Sequence, residues 1–255
     1  GVKELTIDFS SIVFAWGWQS RQNLTIPGSD LIPKVTGIEL MEYFNDHSYN
    51  RTLNNTISNL KNVENIIIVG NGNVAIDIAR LLTYQPDSDI YLKNKNLSEF
   101  VKNNKIKNIK IIARRNCIEA ACSIIELREL QVKSRFKIEA FNIPNELNLI
   151  YEQKCQIDFK TNIKNRPIYK KYKFFENISK NNVEGDDFEK IQFIFESTPF
   201  KVISENNNNY FLFQSNSFKN SINGNCNIRH FGKTDLIIES IGAGLSQLQK
   251  DVKLL

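Results

Sequence analysis

The sequence predicts an α/β fold with a parallel sheet, and three observations support this class. Two short runs, 65–69 and 109–113, are rich in β-branched residues and almost entirely apolar, as expected of strands buried on both faces. Between them, apolar residues at 74, 75, 78, 81 and 82 form the stripe of an amphipathic helix. A glycine-rich turn over 70–75 joins the first strand to this helix. The three together form a βαβ unit, the building block of a doubly wound sheet.

The composition of the chain is that of a folded globular protein. Its 255 residues are 41% hydrophobic and 24% charged, which excludes disorder for the chain as a whole. No apolar run reaches the roughly 18–20 residues that a membrane span requires, so we do not expect the chain to be an integral membrane protein. The first residue is Gly1 rather than an initiator methionine, and we expect the chain to be a middle portion of a longer polypeptide.

The net charge of +5 is concentrated in one segment. Residues 131–175 carry ten Lys or Arg and four Asp or Glu, which suggests an acidic partner or ligand. We expect no nucleic-acid partner. The four cysteines form no CxxC pair and no metal-ligand spacing with His47 or His230. We therefore expect no metal site and free thiols.

The rest of the chain extends the predicted fold. A second helix is expected over 117–131, and an antiparallel hairpin or meander over 191–218, with a turn at the asparagine run 206–209. Near the two ends, 9–17 and 234–242 both read as apolar strands that stop at a glycine. If the domain is inserted into another one, these two strands should lie side by side where the chain crosses over.

The turn after the first strand predicts a dinucleotide site. Glycine lets the backbone turn tightly and approach a ligand, and the following helix presents free N–H groups to a pyrophosphate. The fingerprint occupies Gly70, Asn71, Gly72, Asn73 and Val74, with an alanine as its third small residue.

The end of the next strand predicts the choice of cofactor. An NAD site places an acidic residue there, whereas this chain places Arg114 and Arg115. Two guanidinium groups suit a 2′-phosphate, so the sequence predicts NADP(H) over NAD(H).

These residues resemble the NADP-binding domain of adrenodoxin-reductase-type, or mitochondrial-type, ferredoxin–NADP reductases. The similarity is carried by VGNGNVAIDIAR at 69–80, PDSDI at 86–90, ARR at 113–115 and IELRE at 125–129. Weaker likenesses are AWG at 15–17, IPG at 26–28, FIF at 193–195 with a following proline, and SIG at 240–242. The similarity therefore spans nearly the whole chain.

The resemblance implies a Rossmann-like three-layer domain with a parallel sheet and an antiparallel β-meander, normally inserted in an FAD-binding domain. It divides the chain into a crossover strand at 1–20, the NADP-binding domain at 21–233 and a return strand at 234–255. In the family, the loop that matches residues 70–74, called the Gly-loop below, holds the pyrophosphate. The residues matching Arg114 and Arg115 take the 2′-phosphate, and the glutamate matching Glu126 also contacts the cofactor. By spacing alone, Glu126 is an ordinary polar helix residue.

The resemblance also implies the reaction and the partner. NADPH would deliver hydride to FAD, and the electrons would pass to an acidic ferredoxin or adrenodoxin docked on basic residues such as Arg166, Lys170 and Lys171. The family's FAD segments are not recognisable in this chain, so we expect the chain alone to bind cofactor without turnover, and we assign no catalytic residue. A mitochondrial or other organelle location is implied by the family only.

Some alternative functions are disfavoured by particular residues, and two others remain open. The spacing of Tyr169 and Lys173 matches the YxxxK of short-chain dehydrogenases, but the Gly-loop spacing is not theirs and no serine lies about a dozen residues upstream. The thioredoxin-reductase group would bring a CxxC, which is missing. The glutamate-synthase small subunit and an NADPH-sensing module without electron transfer remain as alternatives.

Overall fold

The computed structural model describes residues 9–11, 13, 20–21, 23–45, 62–84, 100, 102–143, 166–182, 189–215 and 228–244. Helices and strands follow one another in the order β1 (Ser20–Arg21), β2 (Lys34–Thr36), α1 (Gly37–Phe44), β3 (Asn65–Val69), α2 (Asn73–Leu82), β4 (Asn108–Ile112), α3 (Ile124–Lys133), β5 (Lys137–Phe141), α4 (Arg166–Lys180), β6 (Lys190–Ile194), β7 (Ser197–Glu205), β8 (Asn208–Ser215), β9 (Ile228–Lys233), β10 (Leu236–Glu239) and β11 (Ala243–Gly244). A short 3-10 turn, Ser29–Leu31, precedes β2.

A six-stranded sheet organises the fold. Its strand order is β2-β10-β3-β4-β6-β5, and every neighbouring pair is parallel. The predicted strands at 65–69 and 109–113 are confirmed as β3 and β4, and they lie side by side in register. The predicted helix between them is α2. The chain leaves β3 toward β4 on one side, whereas β10 and β2 lie on the other side.

The two faces of the sheet carry different layers. Alternate residues of β3, Ile66 and Ile68, face a core that includes Leu82, Leu127 and Phe175 from the helices. Ile67 and Val69 face the opposite way, toward a core that includes Val202, Phe211 and Phe213 of β7 and β8. Since successive side chains of a strand point to opposite faces, one buried strand serves both cores. The layers are helices, parallel sheet and antiparallel meander, as the resemblance implied.

The prediction for 191–218 was right for the meander but wrong for its first strand. Strand β6 lies between β4 and β5 and is parallel to both, so it belongs to the large sheet. The antiparallel sheet has the order β7-β8-β9 and starts after Glu196, whose positive φ of 51° turns the chain out of the large sheet. The predicted asparagine turn is confirmed at Asn206 and Asn207, both with positive φ, as a two-residue hairpin requires.

The helix predicted over 117–131 begins later than expected. Helix α3 starts at Ile124, where the Ser123 hydroxyl accepts a hydrogen bond from the N–H of Glu126 at 3.2 Å. Before it, the Asn116 side chain bonds the N–H groups of Ile118 and Glu119 at 3.1 and 3.0 Å, which favours a turn over a helix. Sequence reasoning also missed α1 and α4 and, among the strands of three or more residues, β2, β5 and β9.

The prediction that the strands at 9–17 and 234–242 lie side by side was wrong, because β10, the strand within 234–242, pairs on both sides with β2 and β3. Two other short strands near the ends of the described chain do pair. Strands β1 and β11 pair in antiparallel fashion over two residues each, Ser20 with Gly244 and Arg21 with Ala243. Strand β10 lies between β2 and β3, so this part of segment 234–255 is built into the large sheet, whereas β11 is not. Most of segment 1–20 lies outside the described residues.

Candidate functional site

A cleft of about 560 Å³ opens at the carboxyl ends of the parallel strands. Ligands of open α/β sheets bind at this edge, where the strand connections diverge, and β3 is such a point. The cleft is lined by the ends of four strands and by one strap: Val69–Gly72, Ile112–Arg115, Ser197–Pro199, Ser240–Gly242 and Asn23–Ile26, together with Glu119 and Ala121. The predicted Gly-loop and the arginine pair therefore lie in one cavity.

The two glycines of the loop have different roles. Gly70 has a φ of 111°, and a Cβ placed on it would lie 2.1 Å from the carbonyl oxygen of Ser240. Its N–H donates to the carbonyl of Ile112 at 2.9 Å, which ties the loop to β4. Gly72 has an ordinary φ of −76°, and a Cβ placed on it would meet nothing within 4 Å. Gly70 is thus required by packing, whereas Gly72 leaves open space in front of α2.

The start of α2 fits a phosphate group. Gly72 is the N-cap of this helix, and no side chain caps its N–H groups. Unpaired N–H groups at a helix start bind anions. The side-chain amide nitrogen of Asn71, on the cleft wall, is buried and has no hydrogen-bond partner among the described residues. A buried donor without a partner is unusual, and a ligand oxygen would satisfy it.

The other two residues of the fingerprint face protein neighbours. The Asn73 side-chain oxygen accepts a hydrogen bond from the N–H of Ser123 at 2.8 Å. Val74 packs toward Gly37 of α1, and 40% of its surface remains exposed. Neither lines the cleft. They hold the loop against α3 and α1, and a contact from either to a ligand remains a prediction.

The arginine pair stands where the sequence placed it, directly after β4. Both Arg114 and Arg115 are exposed and line the cleft. Their backbone is fixed to the turn after β6, because the N–H of Glu196 donates to the carbonyl of Arg115 at 3.1 Å. The N–H of Ser197 donates in the same way to the carbonyl of Ala113 at 2.8 Å.

Glu126 lies outside the cleft, in a cluster of charges behind it. Its carboxylate is 3.5 Å from the guanidinium of Arg80, which also pairs with Asp77 at 2.6 Å and with Glu129. Burial and the neighbouring Asp77 carboxylate raise the pKa of Glu126, against the opposing effect of Arg80. The cluster joins α2 to α3, none of its residues lines the cleft, and a contact between Glu126 and a cofactor remains a prediction.

The basic residues predicted to dock a partner divide into two kinds. Lys170 is exposed on α4. Lys171, the next residue, turns inward, and its ammonium group donates to the carbonyls of Ala120 and, at 3.4 Å, of Cys122. Arg166 is the first residue of α4, and its side chain lies outside the described atoms.

Two thiols and one carboxylate are buried near the cleft. Burial raises the pKa of Cys117 to about 12 and that of Cys122 to about 11, so neither is a nucleophile at neutral pH. Burial also raises the pKa of Glu239, although its carboxylate accepts a hydrogen bond from the N–H of Leu24 at 3.1 Å. This bond holds the strap at 23–26 over the end of β10.

The described ranges contain neither a metal-binding cluster nor a membrane-spanning helix. No cluster of three or more His, Cys, Asp or Glu side chains could hold a metal ion. None of the helices within those ranges is both long and apolar enough to cross a membrane.

The cleft walls that sequence reasoning missed follow one rule. Residues after the carboxyl end of each parallel strand reach the same edge of the sheet, and Ser197–Pro199 and Ser240–Gly242 follow β6 and β10. Recognition of β6 as a parallel strand would have placed 197–199 in the site. No such signal predicted that the Lys171 side chain turns inward, because a lysine on a Lys-rich helix is ordinarily exposed.

The parallel sheet, with its Gly-rich turn between β3 and α2 and a separate antiparallel meander, places this chain in the class of Rossmann-like dinucleotide-binding folds. Comparison with solved structures agrees with this fold. The structure of a single-residue mutant of FprA from Mycobacterium tuberculosis superposes with a TM-score of 0.67 and 20% sequence identity. The match covers 94% of this chain and 52% of that one. The structure of the same protein in complex with NADPH superposes with a TM-score of 0.64 and 22% sequence identity, and the match covers 94% of this chain and 51% of that one.

Sequence comparison leads to FprA as well, and to adrenodoxin oxidoreductases. The NADPH-ferredoxin reductase FprA of Mycobacterium tuberculosis is 32% identical over 131 residues, which is 50% of this chain and 27% of the relative. The probable mitochondrial NADPH:adrenodoxin oxidoreductase of Schizosaccharomyces pombe is 31% identical over 133 residues, which is 51% of this chain and 27% of the relative. The mitochondrial NADPH:adrenodoxin oxidoreductase of Bos taurus is 30% identical over 133 residues, which is 51% of this chain and 26% of the relative.

These relatives confirm the resemblance predicted from the sequence, and they are oxidoreductases. No family model matches the chain. The sequence match spans about a quarter of the curated relatives (27%), and the chain spans about half of the FprA structures (52%).

Proposed function

We propose that this chain is the NADP(H)-binding part of an NADPH-dependent, FAD-containing reductase that passes electrons to a ferredoxin or an adrenodoxin-like protein. The observation that carries the proposal is the single cleft that joins the Gly-loop to Arg114 and Arg115. The relatives named above supply the reaction class. Bound NADPH would supply a hydride, and FAD, held elsewhere in the protein, would accept it.

The cofactor can be laid into the cleft from its charges. The pyrophosphate would lie at the start of α2, over Gly72, with the Asn71 amide as a further donor. The 2′-phosphate would lie between the two arginines at the end of β4. Each charge-assisted hydrogen bond contributes roughly 1.5–3 kcal/mol, so each arginine would favour NADP over NAD by about 10- to 150-fold. The protein therefore binds and orients the cofactor, and no side chain has to move a proton.

The division of the chain follows from the same proposal. Residues 21–233 and strand β10, which is built into the parallel sheet, would form the nucleotide-binding domain, and 1–20 and the residues after β10 would lead to the flavin-binding domain. The pairing of β1 with β11 supports this division, because it brings the two connecting segments together. We extend the proposal to an organelle location, since the fission-yeast and bovine relatives are mitochondrial.

The test of cofactor choice is a calorimetric titration of the 255-residue chain with NADP and then with NAD. We expect NADP to bind at least about tenfold more tightly than NAD, and the preference to disappear in the Arg114→Ala/Arg115→Ala variant. The matched control is Lys105→Ala/Arg128→Ala, which removes the same charge at two exposed positions outside the cleft. Equal affinity of the unmodified chain for NADP and NAD would refute the proposal.

The partner surface is tested separately. Exposed Lys170, within the basic segment, would contribute to docking of an acidic iron–sulfur protein, whereas Lys171 is engaged with the protein itself. We expect Lys170→Glu to weaken ferredoxin binding at low salt, with an effect that shrinks at high salt. Lys105→Glu reverses the same charge at another exposed position. If both variants weaken binding equally, Lys170 has no specific docking role.

A further inference from the structure

Glu119 is a charged residue of the cleft to which the proposed function assigns no role. It lines the same cavity as Arg114 and Arg115, and the residue is exposed. Its carboxylate forms no ion pair and accepts no hydrogen bond from any residue that the structure describes. A carboxylate without a protein partner in a binding cleft acts electrostatically on whatever the cleft binds.

The backbone of Glu119 is held at the wall of the cleft. Its N–H donates to the side-chain oxygen of Asn116 at 3.0 Å. On one side of this turn, the carbonyl of Arg115 accepts a hydrogen bond from the N–H of Glu196 at 3.1 Å. On the other side, the N–H of Cys122 donates to a carbonyl of the Gly-loop at 3.1 Å. The Glu119 side chain can rotate, but its charge stays near the cleft.

The ligand of the proposed function carries charges of the same sign. A pyrophosphate is anionic, and a 2′-phosphate adds a charge of about −1.5 to −2 at neutral pH. The two arginines and the N–H groups at the start of α2 would attract these charges, whereas Glu119 would repel them. The repulsion extends over about 8 Å at physiological salt, so it requires no contact between Glu119 and the ligand.

The additional phosphate makes NADP more sensitive to this charge than NAD. Every charge in the cleft interacts with the whole charge of the ligand, and NADP carries more of it. The difference between the two cofactors therefore follows from the charge of the ligand. It does not depend on one particular position of the Glu119 side chain.

We propose that Glu119 is a negative determinant of cofactor affinity, whose charge opposes the phosphates of the dinucleotide and limits how tightly the cleft holds NADP. The inference rests on the proposed function, because it takes the cleft as the cofactor site. The opposite role, a carboxylate that accepts a hydrogen bond from a hydroxyl or amino group of the ligand, predicts the opposite sign of the effect.

The experiment is a titration of Glu119→Gln in the 255-residue chain with NADP and with NAD at low salt. We expect NADP to bind about 2- to 5-fold more tightly than to the unmodified chain, as for one interaction between exposed charges. NAD should gain less than about twofold. In about 1 M salt, where charges are screened beyond roughly 3 Å, the gain should vanish.

Two further variants control for other causes. Glu119→Asp keeps the charge and should keep the affinities of the unmodified chain. Glu205→Gln removes the same charge at an exposed position at the end of β7, outside the cleft, and should leave both affinities unchanged. A gain of affinity is also a result that partial unfolding of a variant does not produce.

The outcomes separate the inference from the function on which it rests. Weaker or unchanged NADP binding in Glu119→Gln would overturn the inference, and so would an equal gain in Glu205→Gln, which would indicate an effect of net charge alone. The proposed function is judged on the unmodified chain: equal affinity for NADP and NAD refutes it, whatever Glu119→Gln does. Absence of binding by either nucleotide would overturn both.

Discussion

The Gly-loop and the arginine loop face each other across one cleft, but they are built in different ways. The Gly-loop, 70–74, is fixed largely by its backbone, through a positive φ and a close contact between main-chain atoms. The arginine loop, 114–122, has backbone hydrogen bonds at Arg115 and Cys122, and between them it is also held by the side chains of Asn116 and Lys171. A pyrophosphate site built from backbone, as proposed for the Gly-loop, would tolerate few substitutions. A selectivity site that also depends on side chains, as proposed for the arginine loop, could change while the fold is kept.

This difference matches what each loop would do in the proposed function. A pyrophosphate is common to NAD and NADP, and it is bound by N–H groups that every residue carries. Only the 2′-phosphate distinguishes the two cofactors, and recognition of it requires charged side chains. Two exposed arginines on a loop can provide this charge without disturbing the sheet below them.

The strongest test of the comparison is Gly70→Ala. The new Cβ would lie 2.1 Å from the Ser240 oxygen, and the residue would have to keep a φ of 111°. Strain of this kind costs about 3 kcal/mol. We expect the free energy of unfolding, measured by urea denaturation, to fall by about that amount.

Gly72→Ala is the matched control for this prediction. Its Cβ would meet nothing within 4 Å, so the same substitution two residues away should change stability by less than about 1 kcal/mol. It should nevertheless weaken nucleotide binding, because the methyl group enters the open space in front of α2. Equal loss of stability in the two variants would contradict the backbone account of the Gly-loop.

The same difference explains what could be predicted from the sequence. The βαβ unit was predicted almost to the residue, because buried β-branched strands and a glycine turn are local patterns. Strand β6 was misassigned, because its apolar run does not reveal whether its partners are parallel. Its neighbours, β4 and β5, are distant in sequence, and only the assembled sheet defines the pairing.

The arginine loop shows the same limit at the level of the site. The arginine pair was found from its place after a strand, but the helix predicted from 117 begins seven residues later. Apolar residues such as Cys117 and Ile118 imitate a helical stripe, although they anchor a loop in the core. The support from Lys171 comes from a helix about 50 residues away, and no local pattern encodes it.

A smaller effect is expected from Asn116→Ala in the arginine loop. The Asn116 side-chain oxygen accepts hydrogen bonds from the N–H groups of Ile118 and Glu119, which gives this loop its turn. Loss of a comparable side-chain cap costs about 1 kcal/mol, and we expect a fall of that size in the free energy of unfolding. Asn116→Asp keeps an acceptor at this position and should retain most of the stability. Titration should show a weaker NADP affinity and an unchanged NAD affinity, since the pyrophosphate position does not depend on this turn. A parallel loss of both affinities would mean that the two loops are one mechanical unit, and the contrast between them would then fail.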